Sequence, residues 1–242
     1  MARRRFFVDA VVSGRARIEG PDAHHLTRVL RVEPGQQFEI SDNQSVYLAE
    51  VESARKDSVS FAVQEKLAAP ELSVRTTILA SLIRIERFEW MLEKATELGI
   101  ERVVPVDAER SEKGLEQAAW KRLSRWNRIV REASEQSRRA RLPEIAAPVA
   151  LAAALQMDSG HRFVLEENDA TPMLQALPAH RRQGDSVALL AGPEGGWTDR
   201  ERGSMASAGW CAVSLGPQIL RAETAVIAAL AIINAAWTAL AS

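Results

Sequence analysis

Over the first 68 residues the apolar and polar positions alternate with a period near two, the spacing of half-buried strands. "RRFFV" at 4–8, "RARIE" at 15–19, "QFEIS" at 37–41, "VYLAEVE" at 46–52 and "SVSFAVQE" at 58–65 read as short strands, the last with Val59, Phe61 and Val63 on one face. A short helix is expected over 22–30, closed by a Pro34-Gly35 turn. This is the pattern of a small β-barrel occupying 1–68. "LAAPELS" at 67–73 has no periodicity and reads as a linker.

From residue 74 to 242 the pattern becomes apolar strands alternating with longer helices, which predicts an α/β domain with a largely parallel sheet. "VRTTILASLI" leads into a helix in which Phe88, Met91, Leu92, Ala95 and Leu98 keep helical spacing and Gly99 supplies the C-terminal cap. "IERVVPV", "RFVLEEN", "SVALLAG" and "CAVSLG" are further strands. A helix over 115–139 spaces Leu123, Trp126, Val130, Ala133 and Ser137 three or four residues apart, leaving a face rich in arginine. The stretch 224–242 carries no charge; alanine dominates it and Asn234 interrupts it, so it reads as a helix packed in a core or on a partner subunit rather than in a membrane.

Composition changes this picture little. At 242 residues with 46% apolar and 26% charged residues, the chain is that of an ordinary globular protein. Its formal charge of −1 conceals a basic complement that is nearly all arginine, the side chain that grips phosphate through a planar fork. A single cysteine, Cys211, excludes an intramolecular disulfide, and His24, His25, His161 and His180 are too scattered for a metal cluster. The basic N-terminus lacks the apolar core of a signal peptide, so a reducing cytoplasm is expected.

Candidate chemistry gathers in two glycine-proline segments. "LLAGPEGGWTDRE" at 189–201 runs from a strand into a helix that Thr198 and Glu201 would open with a capping box. Such turns lie where parallel sheets bind ligands. Gly192, Gly195 and Gly196 would permit positive φ and close backbone approach. The segment lacks the lysine of a phosphate loop and the spaced glycines of a dinucleotide fingerprint, and Glu194 suits a cationic or neutral ligand better than an anion. "LGPQILRAETA" at 215–225 repeats the arrangement, with Arg221, Glu223 and Thr224 at its helix start and Thr224 as candidate N-cap. Between 121 and 141 eight basic residues face two glutamates, a net charge of about +6 that would attract a polyanion. Arg3, Arg4, Arg5, Arg28 and Arg31 offer a second such surface.

"EKATELG" at 93–99, "EASEQSRR" at 132–139, "GPEGGWTDRE" at 192–201 and "LGPQILRAETA", together with "HHLTRVLRVEPGQ" at 24–36, resemble in order and spacing the RsmE family of the SPOUT superfamily. These are methyltransferases of small-subunit (16S) ribosomal RNA that act on uridine. The resemblance covers essentially the whole chain. It implies a PUA-like, RNA-binding β-barrel at 1–68 and a SPOUT methyltransferase domain at 74–242 whose C-terminal part forms a deep trefoil knot. It also implies a homodimer and S-adenosyl-L-methionine as methyl donor. Carried over by motif, the donor-site candidates are Gly192, Pro193, Glu194, Gly195, Gly196, Leu215, Gly216, Ile219, Leu220 and Thr224, with Glu166 against the same pocket.

The implied reaction is methylation of ring nitrogen N-3 of one uridine in 16S ribosomal RNA or the small ribosomal subunit. That nitrogen must lose its proton, so a stabiliser of the uracil anion is needed; Arg221 is the candidate, and no residue stands out as the base. Arg28, Arg31, Arg110, Arg138 and Arg139 are candidate RNA contacts. The chain departs from the family pattern at Gln218, commonly Arg, and at Ala222, commonly Thr. Two alternatives stand beside this reading: a nucleotide-binding small-molecule enzyme, and a non-catalytic RNA-binding ribosome-assembly factor. No metal and no membrane partner is expected.

Overall fold

A computed structural model of the chain describes residues 4–69, 72–167 and 170–239. It divides into two compact units, Met1–Glu71 with Arg131–Leu142, and Leu72–Val130 with Pro143–Ser242. The first unit therefore takes in a segment, 131–142, that lies far along the chain, where the sequence pattern places it with the second.

In the first unit the elements are β1 (Arg5–Phe7), β2 (Arg15–Glu19), α1 (Gly20–Arg28), β3 (Gln37–Ser41), β4 (Val46–Arg55) and β5 (Ser58–Leu67). The sheet order is β1-β3-β4-β5-β2, antiparallel except where β1 runs parallel to β3. Inward-facing Ile18, Ile40, Ala49, Val51, Val59 and Phe61 form the core with Phe6 and with Ala23 and Leu26 of α1. The barrel expected from the sequence is open: among the described residues β1 and β2 do not pair. The reason lies at the outer edge of β1, which segment 131–142 occupies. Phe7 donates its N–H to Glu135 Oε1 at 3.4 Å and its carbonyl accepts from Arg131 Nη2 at 2.6 Å. Ser41 Oγ donates to the Ala140 carbonyl at 2.7 Å, and Leu142 N–H donates to Asn43 Oδ1 at 2.7 Å. An edge strand's exposed backbone groups are thus satisfied without closure. Helix α1 begins two residues earlier than the pattern predicts, with Pro21 in its first turn.

The second unit contains β6 (Val74–Ser81), α2 (Ile85–Glu97), β7 (Arg102–Asp107), α3 (Leu115–Gln136), whose residues from 131 onward count with the first unit, β8 (Glu144–Ile145), β9 (Val149–Ala150) and α4 (Leu151–Ala154). It continues with β10 (His161–Leu165), β11 (Thr171–Pro172), α5 (Met173–Ala176), β12 (Asp185–Ala191), α6 (Asp199–Ser207), β13 (Cys211–Ser214) and α7 (Ala222–Thr238). All the pairings are parallel, in the order β11-β13-β10-β12-β6-β7-β8, with β9 also on β7. Successive side chains point to opposite faces. Ile78 and Leu189 accordingly join Phe88, Met91, Leu92, Trp126, Leu230 and Ile233 on one face. Leu79 and Leu190 join Leu155, Trp197, Met205 and Trp210 on the other. A sheet covered on both faces explains why these strands read as continuous apolar runs.

Helix α3 stops at Gln136, three residues before the expected end. Arg138 takes a left-handed conformation, φ 57°, and Arg139 N–H donates back to the Ser134 carbonyl at 2.9 Å, the closure of a helix by a left-handed residue. Helix α7 begins at Ala222, so Glu223 precedes the uncharged run within it, with Val226, Ala229, Leu230, Ile233 and Trp237 buried and Asn234 Nδ2 donating to the Leu98 carbonyl. No described helix is long and apolar enough to cross a membrane.

Candidate active site

The glycines after β12 are small for different reasons. All three residues permit positive φ, but only Gly196 adopts it, at 66°. At Gly192 a Cβ would come within 3.0 Å of the Trp197 ring, and at Gly195 within 3.1 Å of Arg110 Cβ. Close packing, rather than backbone freedom, excludes side chains at these two positions. Trp197 is buried and donates Nε1–H to the Leu165 carbonyl at 3.2 Å, tying the loop to the end of β10. Arg110 donates from Nη1 to the carbonyls of Gly195 at 2.9 Å and Trp197 at 3.4 Å. The turn then enters α6 through the expected Thr198–Glu201 capping box, and the second carboxylate oxygen of Glu201 accepts Glu109 N–H at 2.9 Å.

The second loop leaves β13 through Gly216, φ 120°, and enters α7 with Arg221, not Thr224, at the N-cap. The Arg221 backbone is extended and its carbonyl accepts Ala225 N–H at 2.8 Å, so the helix is already under way when Thr224 is reached. Thr224 is exposed, whereas its neighbour Glu223 is buried.

These loops enclose a cavity of about 310 Å³ at the carboxyl ends of the adjacent strands β12, β10 and β13. It brings together Glu166, Gly192, Pro193, Glu194, Gly196, Leu215, Gly216, Ile219, Leu220 and Arg221; Gly195 and Thr224 do not line it. Gly195 instead supports the wall from behind, against Arg110. The sequence reading missed Arg87 of α2 and Arg202 of α6, which line the cavity and neutralise two of its carboxylates. Arg202 donates to Glu166 through Nε at 2.8 Å and Nη2 at 3.3 Å, and this hydrogen bonding holds its guanidinium above the ordinary arginine range. Arg87 donates to Glu194. Among the described residues Arg221 is exposed and has neither an ion pair nor a side-chain hydrogen bond, a cation facing the cavity.

The candidate RNA contacts separate. Arg110 belongs to the cavity's supporting wall, while Arg28 and Arg31 are exposed on the first unit. In that unit the buried Glu39 carboxylate accepts from Arg5 Nη2 at 2.7 Å and Arg138 Nη2 at 2.5 Å, and Arg5 Nη1 donates to the Arg138 carbonyl at 2.5 Å. Arg138, its side chain 39% exposed, thereby completes the charge cluster around the buried Arg5–Glu39 pair. Arg139 Nε donates to the Arg141 carbonyl at 3.1 Å. Arg3 lies outside the described residues. No group of three or more metal-ligating side chains occurs among the described residues.

Comparison with known proteins gives this geometry a context. Residues 70–234 match the RNA methyltransferase domain family, and 18–64 match the RNA methyltransferase PUA domain family. Ribosomal RNA small subunit methyltransferase E of Bacillus subtilis is 32% identical over 227 residues, 90% of this chain and 88% of that protein. The chain belongs to the ribosomal RNA small subunit methyltransferase E family. The family member of Mycobacterium bovis is 30% identical, spanning 100% of this chain and 96% of its own length. The crystal structure of the Neisseria gonorrhoeae family member, bound to S-adenosyl methionine, superposes with a TM-score of 0.86 at 30% identity over 98% of each chain. A Legionella pneumophila structure in complex with the bound cofactor SAM gives 0.88 at 27% identity, again over 98% of each chain.

Proposed function

We propose that the protein transfers a methyl group from S-adenosyl-L-methionine to ring nitrogen N-3 of one uridine in 16S ribosomal RNA, and that the cavity between the two glycine-proline loops is the donor site. The observation that carries this is the cavity itself: it lies at the carboxyl ends of adjacent parallel strands, where such sheets bind ligands. Leu165, Ile219 and Leu220 give it apolar walls for a nucleoside, and Glu166, Glu167 and Glu194 give it carboxylates suited to a cationic sulfonium. Family membership and neighbours solved with S-adenosylmethionine support the same donor.

In this reading the bound donor supplies an activated methyl group. Backbone groups of Gly192, Pro193, Gly196, Leu215 and Gly216 orient it, Gly195 and Thr224 acting only through the loops that carry them. Arg221 donates to a uracil carbonyl oxygen and stabilises the anion left when N-3 gives up its proton, a role suited to a guanidinium without a protein carboxylate on it. Arg28, Arg31 and Arg139 attract the RNA, Arg110 serving chiefly to hold the Gly195 and Trp197 carbonyls and Arg138 to pair with Glu39. Residues 1–68 act as a PUA-like RNA-binding domain and 74–242 as a SPOUT domain with its C-terminal trefoil knot. The molecule works as a homodimer in the cytoplasm, in keeping with the family resemblance and an unpaired, exposed Cys211.

Calorimetry with S-adenosylmethionine and transfer of labelled methyl to unmodified small-subunit RNA or particles test the proposal. Donor binding and label on one uridine are expected. RNA binding without label in either substrate would instead identify a non-catalytic assembly factor, and absent donor binding would remove the donor site.

A further inference from the structure

Arg87 stands in the first turn of α2, lines the cavity, and faces carboxylates from both walls. It donates to Glu194 of the glycine loop, and its Nε lies 3.9 Å from Glu223 Oε1 at the start of α7. The Glu223 side chain is only 9% exposed, and its Oε2 has no hydrogen-bond partner among the described residues. One guanidinium thus serves two carboxylates. Elsewhere in the lining Arg202 is matched by Glu166, its other contact being the fully solvated Asp199 at 3.2 Å outside the cavity, and Arg221 and Glu167 complete the charged set. With Glu223 included, three arginines stand against four carboxylates.

We infer that Arg87, shared between Glu194 and Glu223, leaves this pocket one uncompensated negative charge and so sets its preference for a cationic methyl donor over the neutral sulfide that methyl transfer leaves behind. The inference rests on the donor-site reading above. Donor and product share their nucleoside and amino-acid parts, so contacts to those parts cancel in the ratio of the two affinities. What remains is the unit charge on sulfur. A protein charge within roughly 5–10 Å of it, in a partly solvated pocket, shifts that ratio by about three- to tenfold. Removing the arginine charge makes the pocket more negative and raises the preference. Removing the Glu223 charge lowers it.

The test is titration of the full chain, as the unaltered protein, Arg87→Met and Glu223→Gln, with S-adenosylmethionine and with S-adenosylhomocysteine at low salt. The product-to-donor Kd ratio is expected to rise about three- to tenfold in Arg87→Met and to fall by a similar factor in Glu223→Gln. A purely structural role would weaken both ligands alike and leave the ratio where it was, which overturns the inference, as does a shift of opposite sign. Should Glu223→Gln not fold, the ratio in Arg87→Met decides alone. Failure of the unaltered chain to bind the donor would overturn the donor-site reading itself, whereas donor binding with an unmoved ratio overturns only the role of Arg87.

Discussion

Gly192 and Gly196 occupy one turn under different constraints, and the difference is measurable. An alanine methyl at Gly192 would meet the ring of Trp197 at 3.0 Å, and that ring is 2% exposed and fixed by its bond to Leu165. Gly192→Ala is expected to destabilise by about 1–3 kcal/mol, the usual cost of overpacking, and to weaken donor binding at least tenfold as the loop shifts. Gly196 has open space around its Cβ position but φ of 66°. Gly196→Ala is expected to cost about 1–2 kcal/mol through the left-handed backbone alone, and Gly196→Asn less, because asparagine tolerates that region. Denaturant melts and calorimetry on the three variants separate a packing constraint from a conformational one. Arg221→Ala carries the catalytic claim at the same scale: turnover is expected to fall by about 100-fold while donor binding is retained or tightened, since the lining loses a positive charge, the pattern of a group that acts on the transition state. Unchanged turnover would remove Arg221 from that role.

Between elements, the clearest electrostatic joint is α2 with α3. Glu89 accepts from Arg125 Nε at 2.8 Å and Nη2 at 2.9 Å, and from Arg122 Nη1 at 3.1 Å. The Arg125 hydrogen bonds, helped by the charges of Arg125 and Arg122 and opposed by partial burial, hold the Glu89 carboxyl below its ordinary value of 4.5. A carboxyl depressed in the folded state stabilises above its unfolded pKa and loses that contribution as pH falls through the folded one. Since both arginines are about half exposed, Glu89→Gln is expected to cost only about 0.5–1 kcal/mol at pH 7 in urea denaturation, with the gap closing as pH drops below 4.5. Elements of this length were legible in the sequence because two or more turns, or five alternating residues, establish a period. The pairs Glu144–Ile145, Val149–Ala150 and Thr171–Pro172 and the single turns at 151–154 and 173–176 are too short to show one. The start of α7 was misplaced because a threonine before an apolar run reads as a cap, while the actual N-cap, Arg221, makes no side-chain cap bond. In the site, the glycine loops announced themselves by composition. Arg87 and Arg202 did not, since a single arginine on a helix carries no local sign that its carboxylate partner is 107 or 36 residues away.

Over the whole molecule, the charge pattern that suggested a polyanion partner is thinner than the sequence count implies. Of the basic residues between 121 and 141, Arg122 and Arg125 are engaged by Glu89, Arg131 by Asp22, Glu135 and the Phe7 carbonyl, and Arg138 by Glu39. Each arginine already neutralised by a carboxylate releases few counterions when RNA arrives. Arg28 and Arg31 are different: both are exposed, and neither has an ion pair or side-chain hydrogen bond among the described residues. For a single-stranded segment each phosphate contact contributes about −0.7 to the slope of log K against log salt. The double variant Arg28→Ala/Arg31→Ala is therefore expected to flatten that slope by about 1.4 in fluorescence anisotropy with a small-subunit RNA fragment, at unchanged stability. Arg138→Ala should do the reverse. Its loss leaves the buried Glu39 with Arg5 alone and frees the left-handed turn at 138, so stability should fall by about 1–3 kcal/mol while the salt slope stays within 0.5 of the original. An unaltered slope in the double variant would move the RNA surface away from α1, and a flattened slope in Arg138→Ala would return that arginine to the RNA.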